Sequence, residues 1–223
     1  MVSYLGHYGK ARTEPVRKLV RAVQSFLDQE IEGSELIVVA DGCEKTVQTI
    51  DQHFSNLANV KCYLQPKTSG WPGAHRQFGI SKASNPYITY LDSDDILLPG
   101  RLQSIIEHLD RQEFVIDTNL TTFGKDPRPP KRTQLLATLD YQGTPYYVYN
   151  FPRPSGTWCI SHRKSVGASW TDSSRRGEDV QFVHNVIKWC KDRNKTFDVK
   201  RHMHPIGGYL ICHMCSGFMQ CDF

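Results

Sequence analysis

Two short apolar runs that each end in aspartate constrain this chain more than any other feature. Leu36-Ile-Val-Val-Ala40 is continuous and rich in β-branched residues, and it closes on Asp41-Gly42; Tyr87-Ile-Thr-Tyr-Leu91 runs directly into Asp92-Ser-Asp-Asp95. An apolar run without polar alternation belongs to a strand covered on both faces, the situation of a parallel sheet flanked by helices. The segments around these runs supply the helices. Val16, Leu19, Val20, Val23, Phe26 and Leu27 recur at helical spacing and predict a helix over 14–29, with Thr13 as its cap and Pro15 in its first turn. Helical Thr46–Phe54, a strand over Val60–Leu64 and helical Gly73–Ala83 complete an alternation of strand and helix. The fold class is α/β.

Beyond residue 110 the alternation loosens. A strand is expected over Glu113–Thr118, followed by the basic, proline-rich Lys125-Asp-Pro-Arg-Pro-Pro-Lys-Arg132 and the aromatic Tyr141–Phe151. A solvated connection is the simpler reading of the basic stretch, and a loop over a site the sharper one. Lys and Arg total 27 against 23 Asp and Glu, a net charge of +4 that is dispersed rather than clustered, which argues against a nucleic-acid partner. At 223 residues one domain buries enough surface to fold without a staple. With 39% apolar residues and no run near the ~20 residues of a spanning helix, no transmembrane segment is expected. Met1–Lys10 lacks the features of a secretory signal, and the expected location is the cytoplasm. The seven cysteines, an odd number without a framework, fit reduced thiols. Cys212-x-x-Cys215 encloses His213, but a zinc site wants a second recognisable pair.

Open α/β sheets bind ligands beyond the carboxyl ends of their strands, so Asp41 and Asp92-Ser-Asp94-Asp95 would face one crevice. Clustered carboxylates repel unless a cation neutralises them, and hard oxygen donors suit Mg²⁺ or Mn²⁺, which bridge carboxylates to substrate phosphates. The bland alternative is that Asp94 or Asp95 caps a helix beginning near Pro99. Ser69–Ile80 puts glycines ahead of a helix carrying Arg76, a candidate anion ligand. Gly177-Glu178-Asp179 opens a further helix, where two acids ordinarily complement the helix dipole.

Taken together, these segments resemble the family 2 glycosyltransferases with the GT-A fold. Leu27-x-Gln29, Glu35–Gly42, Gly73-Ala-His-Arg76-Gln77-x-Gly79-Ile80, Tyr87–Asp95 and Gly177-Glu178-Asp179 stand in that family's order and approximate spacing. The resemblance implies a mainly parallel, Rossmann-like sheet in one catalytic domain over 1–223, with a nucleotide-binding half (1–95) and an acceptor-binding half (96–223). It implies that Asp41 meets the base or ribose of a nucleotide-diphospho-sugar donor, that Arg76 contacts the nucleotide, and that Asp92 and Asp94 form an Asp-x-Asp motif for ribose and metal-bound diphosphate. Asp179 is then the base, with Glu178 its competitor. Gly6-His7-Tyr8-Gly9 replaces the usual Pro-Thr-Tyr-Asn type of segment but keeps the aromatic Tyr8 for the donor. Gln77 stands where asparagine is common. A histidine late in the domain often ligates the metal in such enzymes; His202, His204 and His213 compete for that role, with Leu210-Ile-Cys-His213 the nearest to the family's closing strand.

The implied reaction moves a sugar, from UDP as the leading expectation, onto a saccharide, lipid-linked or other hydroxyl acceptor, with Mn²⁺ or Mg²⁺ and inversion. Trp158, and less specifically Trp170, are candidates for packing on a sugar ring, and both suit a core equally well. The runner-up readings are a sugar-phosphate nucleotidyltransferase, whose glycine-rich basic amino-terminal loop is not found here, and a non-catalytic carbohydrate or nucleic-acid binding module.

Overall fold

The computed structural model describes residues 1–5, 14–68, 72–117, 119–123, 134–141, 144–150, 160–170, 178–200 and 209–210. Expectations at Thr13, over 125–132 and at Tyr8, Trp158, His202, His204 and His213 lie outside the described residues.

The first half alternates as the apolar runs require. Strand β1 (Val2–Ser3) leads to helix α1 (Pro15–Leu27), β2 (Leu36–Asp41), α2 (Glu44–Phe54), β3 (Val60–Gln65), α3 (Gly73–Lys82) and β4 (Tyr87–Thr89). β1, β2 and β3 are parallel, in the order β1-β2-β3, with Val2 opposite Val39 and Asp41 opposite Gln65. Every residue of β2 is buried, which is why its sequence shows no alternation. α1 presents Leu19, Ala22, Val23 and Phe26 to the core at the spacing read from the sequence. Pro15 occupies its first turn, where the missing N–H costs nothing, and Glu14 stands at the cap position in the left-handed region (φ 47°) without a capping side chain.

The second half is not the continuation of a parallel sheet. After β5 (Ile96–Leu97) and α4 (Arg101–Leu109) come β6 (Phe114–Asp117), β7 (Asn119–Phe123), β8 (Gln134–Tyr141), β9 (Thr144–Asn150), β10 (Ile160–Arg163), α5 (Glu178–Asp192), β11 (Phe197–Lys200) and β12 (Tyr209–Leu210). One sheet has the order β11-β6-β10-β4, with β10 antiparallel to both neighbours; another has the order β5-β12-β7-β9-β8. The aromatic segment near 141–151 forms β9, antiparallel to β7 and β8. The sheet system is therefore mixed, parallel in its first half and largely antiparallel in its second.

Between α3, β4, β10 and α5 lies a buried aromatic cluster. Trp170 stacks on Phe182 with ring centroids 4.1 Å apart, and its Nε1 donates to the Tyr90 hydroxyl at 2.8 Å. Tyr90 in turn meets His162 Nε2 at 2.7 Å. Burial pulls the His162 imidazole down to about 4, so this histidine is a neutral core group. Trp170 is only 4% exposed, which settles it as core.

Candidate active site

The strand ends set the positions of the acids. Because β2 and β3 are parallel and finish together, the chain leaving β3 at Gln65 brings Lys67 and Thr68 onto the carboxylate that ends β2. Asp41, only 3% exposed, accepts from Lys67 Nζ at 2.6 Å and from the Thr68 amide at 2.8 Å. His75 Nε2 stands 3.1 Å from Asp41 Oδ1, off the angle a hydrogen bond requires, so it contributes a contact rather than a bond. Burial alone would raise the Asp41 carboxyl, but Lys67 and the Thr68 amide outweigh it and hold the group below its ordinary value. Lys67 also sits 3.7 Å above the Tyr4 ring. The turn here leaves no choice of residue at Gly42: its φ is +59°, and a Cβ would come within 2.5–2.9 Å of Lys67.

A second group gathers at the end of β4. The Asp95 amide donates to the Asp92 carbonyl at 3.1 Å, and Arg21 Nη2 donates to the Asp94 carbonyl at 3.2 Å, fixing the acidic turn against α1. Gly100, with φ 77°, caps α4, so neither Asp94 nor Asp95 serves as its cap. Arg76 Nη2 lies 3.7 Å from Asp92 Oδ1, whose side chain is 34% exposed. The other terminal nitrogen of Arg76 is paired with Glu178 Oε1, while Glu178 Oε2 accepts the Gly73 amide at 3.0 Å. The Arg76 guanidinium also lies 4.9 Å over the Trp170 ring, so the aromatic cluster forms its floor.

This arrangement separates two adjacent acids. Glu178 is buried, its side chain 6% exposed, and ties the start of α5 to the start of α3. Burial pushes its carboxyl up, against the opposing pull of Arg76 and the Gly73 amide. Asp179, the next residue, is half-buried and accepts its neighbour Val180 N–H at 2.9 Å. Of the two, Asp179 keeps the outward position.

The structure thus joins Arg76, Asp92 and the Glu178–Asp179 step in one group and leaves Asp41 in a second, closed by Lys67, Thr68 and His75. Sequence reasoning missed Lys67 and His75. The signal for Lys67 was the common end of two parallel runs; His75 is adjacent to Arg76 but gave no separate sign. Asp92 and Asp94 offer hard oxygen donors of the type Mg²⁺ and Mn²⁺ take, and one or two carboxylates suffice when diphosphate supplies the rest. Among the described residues no three His, Cys, Asp or Glu side chains converge as a complete protein cage. The donor set fits a cation shared with a substrate.

A mixed sheet flanked by helices, with acids at the ends of β2 and β4, defines a GT-A fold. A solved structure of S. aureus TarS (residues 1–349) overlays on 93% of this chain and 58% of that one, with a TM-score of 0.62 at 16% identity. The sequence model of glycosyl transferase family 2 matches residues 13–169, and the chain belongs to that family. It is 31% identical over 99 residues to an uncharacterized glycosyltransferase of Haemophilus influenzae, covering 44% of this chain and 39% of that protein. It is 26% identical over 181 residues to the minor teichoic acid biosynthesis protein GgaA of Bacillus subtilis, covering 74% of this chain and 39% of the relative. The chain spans about two fifths of the length of these two curated relatives. No helix among the described residues is long and apolar enough to cross a membrane.

Proposed function

We propose that the chain transfers a sugar from a nucleotide-diphosphate donor, a UDP-sugar, to a saccharide, lipid-linked or other hydroxyl acceptor, with inversion and with Mn²⁺ or Mg²⁺ as cofactor. The observation that carries this reading is the junction of Arg76 with both Asp92 and Glu178, which ties the acidic end of β4 to the helix start bearing Asp179. TarS has been solved with UDP and with UDP-GlcNAc, which favours uridine as the base of the donor here.

In this reading Asp94 and His213 would hold the divalent cation, which would supply charge neutralisation for the departing diphosphate. Asp92 accepts from the ribose. Arg76, anchored by Glu178, keeps Asp92 in place and adds positive charge to the same crevice. The nucleoside lies toward the Asp41–Lys67 pair and Tyr8. Asp179 takes the proton of the acceptor hydroxyl, a poor nucleophile until a positioned carboxylate acts on it, and Trp158 packs on the acceptor side. Glu178, already engaged on both oxygens, is a positioning residue rather than the base.

The test is a panel of nucleotide sugars assayed for nucleoside diphosphate release with and without a chelator. Release from a UDP-sugar that stops on chelation and returns with Mn²⁺ or Mg²⁺ is expected. Release from no nucleotide sugar at all, or release that chelation leaves unchanged, would overturn the reading.

A further inference from the structure

The Arg76 guanidinium joins the acidic end of β4 to the start of α5, yet the two carboxylates alone do not fix its plane. Glu178 holds one terminal nitrogen, and the other, Nη2, stands 3.7 Å from Asp92 Oδ1, beyond hydrogen-bond distance. A planar fork tied at one corner pivots about it, and a misdirected fork loses the two-point contact that suits arginine to phosphate oxygens. The Trp170 ring limits that pivot, because the guanidinium carbon lies over it at 4.9 Å. Trp170 is itself tied in three ways. Its amide donates to Gln77 Oε1 at 3.0 Å, its ring stacks on Phe182, and its indole N–H donates to the Tyr90 hydroxyl at 2.8 Å.

The protons beyond Tyr90 follow from the acceptors. His162 Nδ1 lies 2.9 Å from the Arg163 carbonyl, which only accepts, so Nδ1 carries the proton. In the neutral ring Nε2 is then an acceptor, and the Tyr90 hydroxyl donates to it at 2.7 Å. The hydrogen bonds thus run one way, from Trp170 through Tyr90 and His162 to the backbone of β10. Trp170, Tyr90 and His162 are 4%, 6% and 1% exposed. Apolar side chains would fill this space without polar atoms to satisfy; what a satisfied buried network adds is a single orientation. We propose that Tyr90 and Trp170, anchored by His162, are positioning residues of the donor site. The relay sets the Trp170 ring, the ring sets the plane of Arg76, and Nη2 is thereby aimed beside Asp92 into the crevice. This rests on the reading of that crevice as the donor site.

The test compares the parent with Tyr90→Phe, which removes only the oxygen linking Trp170 to His162, with Trp170→Phe, and with Ile160→Val, a buried change in β10 outside the relay. One readout needs no nucleotide. The guanidinium NMR resonances of Arg76, shifted by the ring current of Trp170, are expected to move toward those of a free arginine in Tyr90→Phe and to stay in place in Ile160→Val. The other is calorimetric affinity for UDP with Mn²⁺. Tyr90→Phe is expected to weaken binding roughly 5–10-fold in the parent, and less than about 2-fold in an Arg76→Lys or a Trp170→Phe background, where the path is already cut. Unmoved Arg76 resonances in Tyr90→Phe would overturn the proposal. So would equal weakening in all three backgrounds, or the same weakening from Ile160→Val. If Tyr90→Phe fails to fold, Trp170→Phe takes its place in the cycle with Arg76→Lys, and additive losses there would overturn the proposal equally. Failure of the parent to bind UDP overturns the donor reading, and the positioning of Arg76 is then decided by its resonances alone.

Discussion

Glu178 and Asp179 are adjacent acids that the fold treats differently, and their substitutions are expected to separate. Glu178→Ala leaves the buried Arg76, its side chain 9% exposed, and the Gly73 amide without their shared partner. Loss of one member of such a pair costs about 3–5 kcal/mol. Chemical denaturation is expected to show a lowered midpoint, together with a loss of activity that follows the loss of fold. Asp179→Asn keeps the shape and removes the basicity; its midpoint is expected to stay within about 0.5 kcal/mol of the parent while transfer falls roughly 10²–10⁴-fold. A stable Asp179→Asn protein with full transfer would remove Asp179 as the base. The acids were legible in the sequence as residue types, but their division of labour was not. Two residues 100° apart on a helix differ in surroundings only once α3 has been packed beside α5.

Two junctions decide whether the elements meet correctly. At the end of β2, Gly42→Ala places a methyl against the backbone of Lys67 and forces an L-residue to φ +59°; a destabilisation above about 1 kcal/mol is expected, with weakened nucleotide binding because Lys67 is displaced from Asp41. At the start of β2, Glu35 accepts from Lys61 Nζ at 2.8 Å and from the Ser84 amide at 2.6 Å, clamping β3 and the loop before β4 to β2. Burial works against this carboxylate, but Lys61, Ser84 and Asn85 outweigh it and hold it at about 2, against 4.5 for an ordinary glutamate. Its contribution is therefore complete above about pH 4.5 and lost as pH falls toward 2. Glu35→Gln is expected to lower stability at pH 7 by about 1–3 kcal/mol and to flatten the acid limb of the stability curve in that window; an unchanged limb would contradict the clamp. The elements themselves were readable because β2 and the face of α1 carry their burial in their periodicity. What was not readable was the antiparallel insertion of β10 between β4 and β6, which depends on pairings across more than 40 residues of chain. Nor was the shortness of β4, Tyr87–Thr89, where the apolar run continues to Leu91.

Among the described residues, the Met1 amine and the His162 imidazole are buried basic groups pulled well below their ordinary values. The amine is lowered from 8.0 to about 5, chiefly by burial, and the imidazole from 6.5 to about 4 for the same reason. In each case the unfolded chain binds a proton first, so stability is highest above about pH 8, falls between 8 and 5 through the amine, and falls again between 6.5 and 4 through His162. Denaturant midpoints at pH 8.5, 7 and 5.5 are expected to decrease in that order, with acetylation of Met1 removing most of the change between 8.5 and 7; a flat profile would contradict the burial of both groups. Function at this scale rests on one claim, that the acidic end of β4 serves a metal-bound diphosphate. Calorimetric titration of UDP in the presence of Mn²⁺, on the parent chain and on Asp94→Ala, tests it most directly. The parent is expected to bind UDP with metal and to lose that binding on chelation, and Asp94→Ala is expected to keep its fold and lose the metal-dependent part. Equal, metal-independent binding by both proteins would contradict the account.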